Sequence, residues 1–468
     1  MKLLQSKKAY YILLILNGMA AIVSFLMAKN TIFPDGKGYL MLAESIAHGK
    51  FSSWYFLPQY MPETLRTWGY PFFIYAINLV FKGQLAVKLA QLILYYCTVL
   101  LTLGIIKHKT NNISYSNLFL LLLLPNIQIA YYSGLIASES LGTFCTVLFI
   151  YIYLTKPLNW KNALLLALVA FADYQTRPIF ILFPFGLFAY ELLFKFNKTR
   201  LVNIALFLVI YGVLFLPFGY WNLKNHDYFK ITPLEGGAGN AQIGYWIYKF
   251  PDGYASPPYY FGFVVSEDYL QPAFFDSIQK EKFSKDYDNE WQQINTQLAK
   301  YNTAEDTVRL NEMKSYNPVF LVQNSIYTRE REKLVWQYVK RDIMADPIYY
   351  VKTRLYTFCR DWFTGISKIA FRQAHSKSQK LKLAYPFLTS FIFVFLGLIF
   401  ISISFLFKKL KWKDFDSVYL LIIYFGVTNT PFTIQSRYSI PVQLLVIALL
   451  AIAILSYKKP LPTTLVQQ

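Results

Sequence analysis

Acidic side chains are scarce wherever this chain is apolar, so each one there is a candidate for chemistry. Of the 26 Asp and Glu, 18 fall within residues 221–385; the others are Asp35, Glu44, Glu63, Glu139, Asp173, Glu191, Asp414 and Asp416. Asp35 opens the stretch Pro34-Asp-Gly-Lys-Gly-Tyr39 just after the first long apolar run. Tyr39 and Ala43 follow it at four-residue steps, one face of a helix. A carboxylate held there can take the proton of a hydroxyl as a general base. Pro, Asp and Gly are also turn formers, so the same residues read as a plain turn. Glu139 stands where two apolar runs meet, either as a second acid that orients an acceptor or Asp35, or as a favourable charge at a helix N-terminus. Arg66, Arg177 and Arg437 each stand at the end of an apolar run. Forked guanidiniums suit a phosphate, and an Arg at a span end is also an ordinary snorkelling residue. Lys37 and Tyr39 would line the same place, Lys37 either on phosphate or in solvent. Asp173 lies four residues before Arg177, the spacing of an intrahelical ion pair.

The elements that must position these residues are membrane helices. The chain is 55% hydrophobic, 15% charged and 19% aromatic, and its apolar runs approach the ~20 residues that cross a bilayer. Ten spans are expected, near 9–28, 85–106, 117–136, 140–155, 161–174, 178–194, 201–219, 386–407, 417–433 and 439–456, the fifth and ninth interrupted by Asp173 and by Asn429-Thr430-Pro431. The first lacks a small-residue cleavage site and reads as a span rather than a signal peptide. Lysines and arginines gather in alternate connections: before span one, after span two, and between spans four and five, six and seven, and eight and nine. The positive-inside bias then places both termini in the cytoplasm. It turns the first loop 29–84, Glu139, Arg177, Arg437 and the long segment 221–385 outward. The expected organisation is all-α and polytopic: a catalytic membrane module over 1–220, a mainly helical extracytoplasmic domain over 221–385, and C-terminal membrane helices over 386–468. Within 221–385, residues 221–265 read as an irregular Gly-, Pro- and Tyr-rich loop. Helices are expected near 285–300, 303–315 and 326–345, with another from the Asp346-Pro347 break to about 363. Thr303 and Asp306 form a capping-box pattern.

Several function classes fall away. The net charge of +20 is dispersed along the connections, a topology signal with attraction to anionic membrane lipids, not a nucleic-acid footprint. Three cysteines, Cys97, Cys145 and Cys359, give no disulfide framework, and no histidine pair has metal-ligand spacing. No nucleotide loop or internal repeat is present. No cofactor is firmly implied, although weak divalent binding beside a phosphate stays open.

An outward-facing membrane enzyme without a nucleotide motif needs an activated substrate that reaches that side. A polyprenyl-phosphate sugar qualifies: the lipid holds it in the membrane and the phosphate leaves as a weakly basic anion. One positioned carboxylate and a few arginines meet the demand. These residues carry a resemblance to a known family. The first 230 residues resemble the GT-C glycosyltransferases, in the branch of protein O-mannosyltransferases and lipid A aminoarabinose transferases. It is carried by Asp35-Tyr39-Ala43 with Gly49-Lys50-Phe51, by Arg66-Thr-Trp-Gly-Tyr-Pro71, and by Pro125 followed by Ser138-Glu139. Thr176-Arg177-Pro178, the Gly-rich segment after Asn222 and Arg437-Tyr-Ser-Ile-Pro441 add to it. The family's first-loop acid is often followed by another acid, whereas Gly36-Lys37 follow here. The resemblance implies an inverting transfer to an acceptor hydroxyl on a protein, lipid or glycan, with Asp35 as base and Glu139 beside it. Arg66, Arg177, Arg437, Lys37 and Tyr39 would be on the donor. A bacterial inner membrane fits the composition rich in Lys, Asn, Ile and Tyr. Two other readings share the architecture: a transporter of a lipid-linked or small substrate, and an O-antigen ligase or polymerase using a lipid-pyrophosphate glycan.

Overall fold

The computed structural model describes residues 3–31, 34–58, 60–195, 198–250, 274–315, 321–363, 374–432 and 436–458, and within them every regular element is a helix. The first half holds α1 (Lys7–Ala28), α2 (Pro34–Ala47), α3 (Gly69–Val80), α4 (Gln84–Thr110), α5 (Ile113–Leu123), α6 (Ile127–Tyr131), α7 (Glu139–Thr155), α8 (Trp160–Thr176) and α9 (Phe183–Phe194). Next come α10 (Lys198–Leu214) and α11 (Leu216–His226), then α12 (Ala238–Trp246), α13 (Ser277–Leu298), α14 (Ala304–Ser315), α15 (Ser325–Ala345) and α16 (Pro347–Arg360). The chain closes with α17 (Lys377–Thr389), α18 (Leu396–Leu406), α19 (Trp412–Asn429) and α20 (Ile440–Lys458). It is an all-α, polytopic membrane protein.

The expected ten spans are not ten continuous apolar helices. Five helices among the described residues are long and apolar enough to cross a membrane: Lys7–Ala28, Gln84–Thr110, Arg200–His226, Lys377–Leu406 and Arg437–Tyr457. A sixth counts if the pair Ile113–Leu123 and Ile127–Gly134, bent by 70°, is one span. The bend falls at Pro125, which has no N–H to donate to the helical ladder. Leu124 before it is still helical, and the chain leaves helical geometry at Asn126, with φ -90° and ψ 49°. Helices α7 and α8 have 17 residues each, about 26 Å at 1.5 Å per residue, short of a ~30 Å hydrocarbon core. The run 178–194 spends its first five residues in a 3-10 turn before the 12 residues of α9. Helix α19 includes Lys413, Asp414 and Asp416 in its first turns. A hydropathy window joins what proline, turns and charges divide.

The last helix is the hub. Residues Leu444 to Ala453 of α20 are all at most 6% exposed, and α5, α7, α18 and α19 pack around it. A helix apolar on every side belongs in the middle of a bundle. Around it α4 packs on α7, α7 on α8, and α8 on α10. Close approach is set by small residues, as membrane packing favours. A Cβ on Gly134 would lie 2.6 Å from Ala28 Cβ and 2.8 Å from the Phe25 carbonyl, so α1 meets the segment after α6 at backbone distance.

The helices of residues 274–363 follow the sequence. Helices α14 and α15 coincide with their expected ranges, and α16 begins at the Asp346-Pro347 break, with the Asp346 side chain accepting from the Tyr349 N–H. The Thr303–Asp306 box is reciprocal: the Asp306 N–H donates to Thr303 Oγ1 at 3.1 Å and the Thr303 N–H to Asp306 Oδ2 at 2.9 Å. Helix α13 starts earlier than expected, because Asp276 and Gln279 form a second capping box. The expected loop over 221–265 needs correction in its described part. Residues 216–226 continue a helix, and α12 forms at Ala238, where Gly237 takes φ +91° and the Glu332 carboxylate accepts the Ala238 N–H at 3.2 Å. Residues 251–265 lie outside the described residues.

Candidate active site

Six of the seven residues singled out from the sequence meet at one end of the bundle. Each comes from the end of an element, where the chain enters or leaves a helix. Asp35 and Tyr39 lie in the first turns of α2, Glu139 is the first residue of α7, and Arg177 caps the C-terminus of α8. Arg66 precedes α3, and Arg437 sits in the 3-10 turn Ser436–Ser439 that opens onto α20. Arg437 bridges the two acids, with Nη2 2.9 Å from Asp35 Oδ2 and Nη1 3.5 Å from Glu139 Oε1. Arg66 Nη2 lies 3.6 Å from Asp35 Oδ1, and Arg177 Nη1 lies 3.5 Å from Glu139 Oε1. Tyr39 lies 5.2 Å from the Arg66 guanidinium, while Tyr438 lies 5.9 Å from that of Arg177 and 5.6 Å from that of Arg437. Lys37 is the exception: it is exposed and, among the described residues, pairs with no acid. The ion pair expected between Asp173 and Arg177 does not form. Asp173 Oδ2 accepts from Thr146 Oγ1 at 2.6 Å and Arg177 turns to Glu139, because as the C-cap residue its side chain leaves the face that carries Asp173.

Three arginines against two carboxylates leave one positive charge in excess. Burial raises the Asp35 pKa, but Arg437 and Arg66 more than offset it and hold the carboxyl below its usual value. Arg177 Nη1 and Glu139 Oε2 are buried and have no hydrogen-bond partner among the described residues. Such groups are costly unless something meets them. Together these features suit a bound anion with a hydroxyl beside it. No three His, Cys, Asp or Glu gather among the described residues, so a divalent ion here would lean on the anion's own oxygens.

Residues that the sequence left unassigned build the frame. Glu63 is not a free acid: its Oε2 accepts from Ser53 Oγ at 2.7 Å, and its Oε1 accepts the N–H groups of Leu65 at 3.1 Å and Arg66 at 3.3 Å. That carboxylate fixes the loop that aims Arg66. The same loop is tied to the turn carrying Arg177, since Thr67 Oγ1 donates to the Gln175 carbonyl at 2.7 Å and the Trp68 N–H to Gln175 Oε1 at 3.1 Å. Gln91 in α4 accepts from Tyr70 at 2.6 Å and donates to the carbonyls of Ser133 and Leu135, holding the approach to Glu139. Asp361, just after α16, is fully buried with Arg177 in its field. Burial raises its carboxyl to about 8, while Asn429 and Arg177 pull the other way. Polar residues inside apolar runs, and one acid among eighteen, gave no pattern to find them by.

Gly36 gives the departure after Asp35 a steric reason. A Cβ there would lie 2.8 Å from the Ile136 carbonyl oxygen and 3.2 Å from Ile136 Cβ, so a second acid at that position does not fit against the segment that leads to Glu139. Gly36→Ala is expected to cost roughly 1–3 kcal/mol through overpacking and to push Asp35 away from the Arg437 that it shares with Glu139. Thermal unfolding of the purified variant and its turnover should both fall; wild-type values for both would mean that α2 does not lock against residue 136.

No protein-family model and no curated protein matches the chain. Among solved structures, ArnT from Cupriavidus metallidurans bound to undecaprenyl phosphate is similar over 97% of this chain and 79% of that chain, at 10% sequence identity and a TM-score of 0.36.

Proposed function

We propose that this protein is a membrane glycosyltransferase that moves a sugar from a polyprenyl-phosphate donor to an acceptor hydroxyl on the extracytoplasmic side. The observation that carries the reading is the single cluster in which Asp35 and Glu139 share Arg437, with Arg66 and Arg177 completing it. The acceptor oxygen attacks the anomeric carbon as its proton passes to Asp35 and the bond to the phosphate oxygen breaks. Inversion at that carbon follows from a single displacement, through a state with oxocarbenium character. The phosphate departs onto the arginines, whose fixed guanidiniums meet the charge as it develops. Glu139 holds Arg437 and Arg177 and turns its remaining oxygen to the acceptor. Lys37, exposed at the rim, is at most an outer contact for the donor phosphate.

The orientation belongs to the same proposal. The termini, Lys107 and Lys411 face the cytoplasm, while Asp35, Glu139 and the 221–385 domain face outward from a bacterial inner membrane. Cysteines introduced at 107 and at 289, both exposed positions, should label from opposite sides of sealed vesicles, and cytoplasmic labelling at 289 would remove the outward site.

The deciding experiment supplies purified protein in bilayers with a panel of polyprenyl-phosphate sugars and hydroxyl acceptors, read by release of the free lipid phosphate. Release that depends on acceptor and on Asp35 supports the reading. Solute uptake without release would favour a transporter, and consumption of a lipid-pyrophosphate glycan alone would favour a ligase or polymerase.

A further inference from the structure

Helix α16 is amphipathic the wrong way round for water. Its protein-facing side is polar or aromatic: Tyr349, Thr353, Arg354, Thr357 and Arg360 are all buried. Most of these groups find hydrogen-bond partners there. Arg354 donates to the Thr430 carbonyl at 2.8 Å and to the Gly244 carbonyl, Tyr349 donates to the Tyr245 carbonyl at 3.0 Å, and Thr357 shares a hydrogen bond with Tyr248 at 2.8 Å. The opposite side is apolar and bare. Ile348, Val351 and Leu355, spaced three and four residues apart, are 80%, 56% and 66% exposed. A water-facing helix presents the reverse pattern, so this face needs an apolar covering.

The surroundings name that covering. At the C-terminal end of α16, the rings of Phe358 and Trp362 close over Gly426 of α19, where an added Cβ would lie 2.6 and 2.8 Å from them. Gly426 is flanked on α19 by Val427, 55% exposed, and Ile423, 37% exposed, the bare apolar positions of a bundle helix. The stripe on α16 therefore starts beside a lipid-facing helix and runs about 10 Å along its own axis from Leu355 to Ile348, at 1.5 Å per residue. Lys352 stands exposed between Val351 and Leu355 with its Nζ 4.5 Å from the Phe274 ring centre, a cation and an aromatic of the kind that sit at headgroup level.

We propose that α16, though part of the external segment, lies in the membrane interface with Ile348, Val351 and Leu355 dipped among the lipid acyl chains and Lys352 at the headgroups. The 221–385 segment is then not wholly soluble: α16 seats it on the bilayer beside α19. This inference rests on the chain being a membrane protein and stands whether or not the transferase reading does.

Spin labels decide it. Single cysteines at 348, 351 and 355, in full-length protein whose native Cys97, Cys145 and Cys359 are replaced by Ser or Ala, are labelled and reconstituted in phosphatidylethanolamine–phosphatidylglycerol bilayers. Ile278 on α13, 82% exposed, gives the water-facing control. Collisions with a water-soluble nickel chelate should be several-fold lower at all three positions than at 278, and collisions with oxygen higher. Nickel access equal to that at 278 would overturn the proposal. So would protection from both reagents that disappears on dilution of the protein in the bilayer, which would make a second copy the covering.

Discussion

Asp35→Asn is expected to slow sugar transfer by about 10² to 10⁴, the usual loss when a positioned base is removed, while donor binding persists. The second half of that expectation follows from the geometry. Asp35 holds Arg437 at 2.9 Å and Arg66 at 3.6 Å, so a donor phosphate would compete with it for the same guanidiniums. Removing its charge frees both, and donor affinity should hold or rise. A merely structural Asp35 would instead lose affinity and rate together. Asp35→Glu should also be damaged, because the added methylene moves the carboxylate within a site where positional errors of an ångström are expensive. Glu139→Gln should cost less than Asp35→Asn if Glu139 only orients. Single-turnover transfer by folded, donor-bound Asp35→Asn is the direct measurement, and a wild-type rate would move the base to Glu139.

The arginines also set a pH dependence with a definite sign. Arg437 and Arg66 hold the free carboxyl of Asp35 below its ordinary value despite its burial. The base form is therefore fully present at neutral pH and is lost only as pH falls through that depressed pKa. A depressed pKa also makes a weak base. When a phosphate draws the two guanidiniums to itself and adds its own negative charge, the pull on Asp35 weakens and its pKa rises. The acid limb of kcat, which reports the donor complex, should then lie at higher pH than the acid limb of kcat/KM, which reports the free enzyme. Coincident limbs would mean that the donor leaves the Asp35–arginine contacts unchanged.

Much of the cluster was legible because its residues are exceptions to a simple background. In a chain whose acids crowd into one segment, Asp35 and Glu139 stood out by position. Arg66, Arg177 and Arg437 stood out because each ends an apolar run, and ends on the same side meet. What could not be read was the scaffolding. Glu63, Gln91 and Gln175 act through backbone groups of distant segments, and neither spacing nor composition marks such contacts. Asp173 was misassigned because helical spacing to Arg177 ignores the cap, where the chain turns out of the helix. The span count failed for a related reason: hydropathy is additive along the chain, whereas a helix is broken by one residue such as Pro125. The inverted face of α16 was missed because three apolar residues among Lys and Arg look like any amphipathic helix until their buried side is known.

Arg437→Lys should be the most damaging of the three mild arginine changes. Its two terminal nitrogens reach different acids, Asp35 at 2.9 Å and Glu139 at 3.5 Å, and only a planar fork spans both. An ammonium can sit on one of them and leaves the other carboxylate short of its counter-charge in a largely buried place. Charge is conserved, so a purely electrostatic anchor would survive the change nearly intact. A group that meets developing charge on the departing phosphate would not, and losing one such donor typically costs about 10² to 10³ in rate. Arg66→Lys and Arg177→Lys each touch a single acid and should fall between wild type and Arg437→Lys. The double variant Asp35→Asn with Arg437→Lys should lose less than the two single losses combined, because the pair acts through one contact. The measurement is kcat/KM for the donor in the wild type, the three lysine variants, Asp35→Asn and the double variant, alongside thermal stability to exclude misfolding. Full turnover in all three lysine variants would reduce these arginines to anchors at the membrane surface and take the phosphate away from this cluster.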